Sequence, residues 1–432
     1  MNLVFYLRSI PLQGSFLEEK PLGGTESALL YLARALVQRT HRVRIYCEAI
    51  CEEVHEGVSY RHWSHFEEEM NNDPPDVFVS LRSLFIPLVK RWAPLQIYFS
   101  PDAPDQSCVN AALQLQGNKN GMDFHLGLYS LRHVQHFVDG IMGVGIWQIS
   151  EFVKKFNLNP DRVFIFPNGV DSLFFSKKPV FQRKKQIIYC STPFRGLEFL
   201  LNYFPKIRSR IPDATCLILS GMQLYGASDQ EDQQAYQKLY ELANQPGVTL
   251  MKPVNKREMA PMLSKSRVLA YPNTFAETFC IAALESQAAG LPIVTTDLAG
   301  LRERVTQGVD GYLIKGHPSE ETYRNVFIEK VCDLLTQDDL WSSCSHAAQK
   351  KAQMYHYPAL AILFEKQINS LRNLGNINRP LYFKPQRQKI MMKNGEEQIP
   401  FSLEVNVIQD VFKKHMEGHG LNQLAALPRE VV

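Results

Sequence analysis

The chain has 432 residues, 47 Lys+Arg against 44 Asp+Glu, and a formal net charge of +3, which suggests about two or three domains and gives no electrostatic case for a general nucleic-acid binder. An apolar content of 45 % and a charged content of 21 % exclude a wholly disordered chain. Eight cysteines without a C-x-x-C pair exclude a disulfide scaffold and argue against a structural zinc site, so free thiols in a reducing cytoplasm are expected.

The N-terminal MNLVFYLRSIPLQG has a short apolar run and no basic leader, so it reads as a first buried strand rather than a signal peptide. No stretch approaches the roughly 18 apolar residues that cross a bilayer. Strand-like VFYL (4–7) is followed by a helix over 25–39, with Leu29, Leu32, Ala33 and Leu36 on one face. Strands follow at 43–47, 76–81, 95–100 and 140–145, then a helix at 147–156 and a strand at 163–167. Near-continuous apolar strands alternating with helices predict a parallel sheet covered on both faces.

Residues 176–185 are polar, basic and proline-bearing, and read as a linker. The alternation then restarts, with strands at 186–191, 215–221, 248–251, 268–272, 292–296 and 311–314 and helices between them. Helix 321–336 and segment 354–372 complete the second unit. Two α/β units in tandem are the simplest reading. Residues 376–432 break the pattern, and 379–393 hold five Lys/Arg and no acid. An extension packing on the body is one reading of this tail, and a membrane-surface contact is the other.

The stretch YPNTFAETFCIAALESQAAGLPIVTTDLAGLRE (271–303) concentrates the chemistry. A strand ends at Tyr271-Pro272, a polar loop follows, and a helix is predicted to open near Thr278 and to stop at Gly290 and Pro292. That opening lies at the C-terminal edge of a parallel sheet, where ligands bind and where free backbone N–H groups favour an anion. Glu277 sits at the opening. Glu285, two turns further in, is an acid among small apolar residues. A buried carboxylate needs hydrogen-bond partners; ribose hydroxyls, a neighbouring Arg or water would each serve. Gly23-Gly24 after the first strand lets backbone approach a ligand, or simply makes a tight turn. Arg195 precedes Gly196 at a strand-to-helix junction, where a guanidinium can take two phosphate oxygens. The GGTE loop is not G-x-G-x-x-G, which argues against a nicotinamide dehydrogenase.

The E-x7-E segment between its strand end and strand start resembles the donor site of the retaining glycosyltransferase family 4. GGTESALLYLARAL (23–36), FPNGVDSLFF (166–175), STPFRGLEFLL (191–201) and LAGLRERVTQGVDGYLI (298–314) resemble the same family in order and spacing, over about residues 3–370. The resemblance implies an α/β chain of the GT-B fold, with two Rossmann-like doubly wound domains facing across a cleft. Its implied bounds are residues 1–178 for the acceptor-side domain, 179–353 for the nucleotide-sugar domain, 354–375 for a return helix and 376–432 for an extension. It further implies sugar transfer from a nucleoside-diphosphate sugar to a hydroxyl of a carbohydrate, lipid-linked or small-molecule acceptor, with retention of configuration, in the cytoplasm or peripherally on a membrane's inner face. The implied donor site is Gly23, Gly24, Arg195, Thr278, Phe279, Cys280, Ile281 and Glu285, and the implied catalytic groups are Glu277, Arg195 and Asp102.

The sequence departs from the family at three places. The loop before Arg195 is short, so a second cation is missing or Arg195 covers both phosphates. Pro101 stands where the family has His, leaving Asp102 and, on the acceptor side, Asp105 and His125 as candidates, with His133 and His136 nearby. Cys280 replaces a glycine and is expected to preserve close approach. No D-x-D triplet occurs, so no metal and no cofactor are expected, and a helix opening plus Arg195 would stabilise the leaving diphosphate. A nucleotide-sugar epimerase, a phosphorylase and a non-catalytic nucleotide-sugar-binding relative are the alternatives.

Overall fold

The computed structural model describes residues 1–84, 86–106, 109–115, 124–175, 183–374, 390–392 and 395–397. Strands β1 (Asn2–Tyr6), β2 (Arg42–Cys47), β3 (Glu53–His55), β4 (Val58–His62), β5 (Val77–Leu81), β6 (Leu95–Ser100), β9 (Gly140–Gly143) and β10 (Val163–Ile165) form one sheet in the order 10-9-6-5-1-2-4-3. All its pairings are parallel except β3 with β4. Strands β7 (Asn110–Leu115) and β8 (Phe124–Ser130) make a separate antiparallel pair. Strands β11 (Gln186–Cys190), β12 (Thr215–Leu219), β13 (Val248–Met251), β14 (Val268–Tyr271), β15 (Ile293–Thr296) and β16 (Gly311–Ile314) form a wholly parallel second sheet in the order 13-12-11-14-15-16.

The first strand shows why the apolar runs are continuous. Side chains alternate across a strand. Leu3 and Phe5 enter the large core on one face of the sheet, while Val4 and Tyr6 enter a second cluster on the other, with Tyr46, Phe66, Phe78 and Trp92. Phe66 meets Tyr6 and Trp92 edge-on, at centroid distances of 4.9 and 4.7 Å. Both faces are therefore dry, and alternation with polar residues is lost.

The structure refines two parts of the reading. Of the expected linker, residues 176–182 lie outside the described residues and Lys184 is exposed, while Arg183 is buried and donates to the carbonyls of Ser266 and Ala289, at 3.1 and 2.7 Å. Burial lowers its pKa to about 10. The reason is the unforeseen helix Asp338–Gln353, whose Trp341 lies 4.9 Å from the guanidinium. Within the expected 354–375 segment the helix runs over Tyr357–Asn373, with Pro358 in its first turn. Most of the basic 379–393 segment lies outside the described residues, so its membrane contact stays a sequence expectation; residues 390–392 pair with 395–397. No helix among the described residues is long and apolar enough to cross a membrane.

The Tyr357–Asn373 helix returns to the first sheet. Tyr357 stacks on Tyr31 at 5.1 Å, and Phe364 packs on Phe5 and Phe166. At its solvent side Glu365 accepts from Arg39 at 2.6 and 2.7 Å and bonds His41 at 2.8 Å. These partners, Arg39 first, pull the Glu365 pKa from 4.5 to about 2 against a small burial penalty. A depressed carboxylate stabilises the fold above its unfolded pKa and loses that contribution as pH falls through the folded one. Glu365→Gln is therefore expected to lower Tm by about 1–3 °C at pH 7, with the difference shrinking between pH 4.5 and 2. Thermal denaturation of both proteins across that range checks it.

Candidate active site

The C-terminal ends of both sheets line one cavity of about 450 Å³. From the second sheet, β14 ends at Tyr271 and the chain turns through Asn273, whose side chain accepts from the Phe275 N–H at 2.9 Å. The turn sets Glu277 over the strand end. Its carboxylate accepts from the Tyr271 hydroxyl at 2.7 Å and from Arg195 at 2.9 Å. Arg195 also donates to the Tyr225 hydroxyl at 2.9 Å and lies 4.2 Å from the Phe275 ring. Burial alone would lower the Arg195 pKa, but Glu277, with Tyr271 and Tyr225, outweighs it and the pKa is raised. Gly196 makes this geometry accessible: its φ is +103°, and a Cβ there would stand 2.0 Å from the Pro272 carbonyl oxygen.

The helix expected near Thr278 begins at Ile281 and ends at Ala288. Cys280 is its N-cap, with φ +68° and ψ +82°. The small-for-small reading of Cys280 concerned side-chain size and did not include this backbone. The position calls for a left-handed backbone, which a residue with a Cβ adopts at a cost of about 1–2 kcal/mol. Phe279 turns from the loop toward the Arg304 guanidinium, 4.2 Å away, while still lining the cavity. Burial pushes the Cys190 and Cys280 thiols up, so both are neutral lining groups.

Glu285 is 3 % exposed, and its partner is Lys256, 8 % exposed, at 2.5 Å. The sequence reading allowed a neighbouring arginine there; the cation comes instead from the first residue of the Lys256–Lys265 helix, which Asn255 caps by accepting from the Glu258 N–H. A buried acid in an apolar helix signals that a partner exists but not where it lies in sequence. Burial raises the Glu285 pKa above the usual carboxylate value, and Lys256 draws it only partly back.

The first sheet supplies the opposite wall. Gly23 caps the Gly24–Gln38 helix, and a Cβ on Gly24 would meet Ile281 Cδ1 at 3.0 Å, so the openings of the two helices face each other across the cavity. Asp102 is held in a two-pronged pair with Arg82, at 2.7 and 2.6 Å. Arg82, which sequence reading did not single out, has φ +60° and lies 3.6 Å from Glu26. Asp105 is exposed and does not line the cavity; Gln106 does. His125 lies on β8, opposite Gln114 of β7, and His136 is exposed. His136 does not line the cavity, and the His125 side chain lies outside the described residues. Thr278 donates to the Pro101 carbonyl at 2.6 Å, joining the walls. Away from the cavity, Glu52, His65 and Glu69 could gather round a cation, but Arg61 already pairs with Glu52 at 2.7 Å and with Glu69.

Residues 184–337 match the family described as glycosyl transferases group 1. A D-inositol 3-phosphate glycosyltransferase of Paenarthrobacter aurescens is 27 % identical over 207 residues, which are 45 % of this chain and 49 % of that protein. The chain thus spans about half the length of such curated relatives. The sucrose-phosphate synthase of Thermosynechococcus elongatus superposes with a TM-score of 0.65 at 13 % identity, covering 87 % of this chain and all of that one. HepE of Anabaena, solved with UDP-glucose, gives 0.63 at 12 % identity, covering 86 % of this chain and all of its own. With its two facing sheets the chain has the GT-B fold, and residues 184–337 are similar to the group 1 glycosyltransferases.

Proposed function

We propose that this chain transfers a sugar from a nucleoside-diphosphate sugar to an acceptor hydroxyl, with retention of configuration and without a divalent metal or other cofactor. The observation that carries the reading is the convergence of Arg195 and two helix openings, at Gly24 and Ile281, on one cavity at the sheet ends. Free N–H groups and a positive dipole end at each opening favour an anion, and the guanidinium adds a full charge. Negative charge grows on the diphosphate as the glycosidic bond breaks, and donors already in place stabilise it without reorganising. Glu277 would bond hydroxyls of the donor sugar, and Glu285 those of the ribose once Lys256 gives way. Of the proteins named above, one is named a glycosyltransferase and another was solved with UDP-glucose, which supports the reading. Retention follows from the family resemblance.

Metal independence has a physical basis in the carboxylates. Glu277, Glu285 and Asp102 each hold a cationic side chain within 3 Å. A divalent ion would have to displace those cations first. Turnover is expected to survive prolonged treatment with excess EDTA and to gain less than twofold from added Mg2+ or Mn2+; loss of activity on chelation, restored by metal, would remove this part of the reading.

A nucleoside diphosphate that fits should raise Tm in a thermal-shift screen of UDP, GDP, ADP and CDP. A charged hydrogen bond contributes about 1.5–3 kcal/mol, so Glu285→Ala should weaken that ligand roughly tenfold to a hundredfold. Arg195→Ala should lower kcat more than it raises KM, because its bond strengthens as charge develops. Steady-state kinetics with UDP- and GDP-sugars test both, and wild-type-like values in the two variants would sink the assignment.

A further inference from the structure

Within the glycosyl-transfer reading, on which this inference rests, the acceptor wall has a charge pattern of its own. Among the described residues of the first sheet's half that line the cavity, the charged ones are Glu26, Arg82 and Asp102. Glu26 is 5 % exposed and Asp102 8 %. Two carboxylates thus share one guanidinium, and these three residues together carry one net negative charge.

The arrangement is held from several sides. Arg82 adopts φ +60°, a conformation a bulky side chain takes only where its surroundings impose it. Ser100 Oγ accepts from the Asp102 N–H at 3.2 Å, and Gln148 donates to the Asp102 carbonyl at 2.6 Å. Glu26 is packed against the Gly23 turn, its Oε2 2.5 Å from the place a Cβ on Gly23 would take.

We infer that the acceptor is an uncharged polyhydroxyl compound, such as an unphosphorylated sugar or polyol, and not a phosphate ester. Hydroxyls can donate to the free lone pairs of Glu26 and Asp102 and accept from Arg82 without disturbing the pair. A phosphate would have to draw Arg82 away and leave two buried carboxylates facing it, close to the donor's own diphosphate. Arg82 alone would suggest an anion site; the two acids around it reverse that reading. The inference sets this chain apart from its relative named for inositol 3-phosphate.

The test uses the full chain with the donor found by the nucleotide screen. Matched pairs are compared as acceptors by kcat/KM: glucose with glucose 6-phosphate, mannose with mannose 6-phosphate, and myo-inositol with its 3-phosphate. Compounds that bind without accepting are compared by calorimetric Kd on protein saturated with the nucleoside diphosphate. The uncharged member is expected to be favoured about tenfold or more. Asp102→Asn with Glu26→Gln should shift that ratio about tenfold toward the phosphate ester, and Arg82→Met should shift it the other way. If the double variant does not fold, Glu26→Gln alone carries the measurement. Preference for the phosphate ester by wild type, a ratio that ignores these substitutions, or no binding by either member of any pair overturns the inference. Failure of every nucleoside diphosphate to bind is a separate result, which overturns the glycosyl-transfer reading itself.

Discussion

Burying a carboxylate in a cleft is costly unless a cation accompanies it, and this constraint organises the cavity. Arg195 comes with Glu277, Lys256 with Glu285, and Arg82 with Asp102 and Glu26. Each cation reaches its acid from a different element, so every pair fastens two pieces of the fold at the cavity surface. Arg195 ties the loop after β11 to the loop after β14. Lys256 ties one helix opening to the middle of another. Arg82 ties the end of β5 to the end of β6. Polar groups that a ligand will meet are thereby already positioned, which removes part of the ordering cost that binding would otherwise carry. On the proposed function the same pairing implies exchange: a ribose that took Glu285 would free an ammonium inside the cavity, where a nucleoside diphosphate would supply the anion.

The walls also meet directly. Besides Thr278 and the Pro101 carbonyl, Glu303 accepts from the Ile146 and Trp147 N–H groups at 2.8 and 2.6 Å. A carboxylate from the second half thus caps a helix of the first, where its charge also suits the helix dipole. Gly145 permits this approach, since a Cβ there would press against the Thr278 carbonyl oxygen at 2.7 Å. Gly300 packs on the same oxygen from within the second half, at 2.5 Å from the place its Cβ would take. The first glycine thus matters for contact between halves, and the second for the loop that makes that contact.

How much of this could be read in sequence follows from the range of the interactions. Strands such as 76–81 and 95–100 were legible because burial on both faces writes a continuous apolar run. The segment 271–303 was legible as a strand, loop and helix because these are consecutive, and Gly23, Gly24, Arg195, Glu277 and Glu285 all line one cavity. Lys256 and Arg82 were not legible: they lie 29 and 20 residues from the acids they pair with, and an ion pair between elements has no fixed spacing. The edge pair β3–β4 was missed for a different reason. Its half-exposed residues, Glu53 to His62, lack the apolar signature of the central strands.

Cys280 joins these levels. Local propensity disfavours a left-handed cysteine, yet the chain has one at the mouth of the helix that faces Gly24. Its neighbours set the backbone there. The Gly300 N–H bonds the Glu277 carbonyl at 2.8 Å and Thr278 is bound across the cleft, so the loop must turn sharply to enter the helix at Ile281. A strained residue persists where surrounding contacts over-determine it, and such places cluster at binding sites. Arg82, with the same backbone sign on the opposite wall, obeys the same logic. Among the described residues, the two strained non-glycine residues that line the cavity therefore sit one on each wall. Arg82 lies where β5 gives way to its loop, and Cys280 where the loop after β14 enters the helix at Ile281.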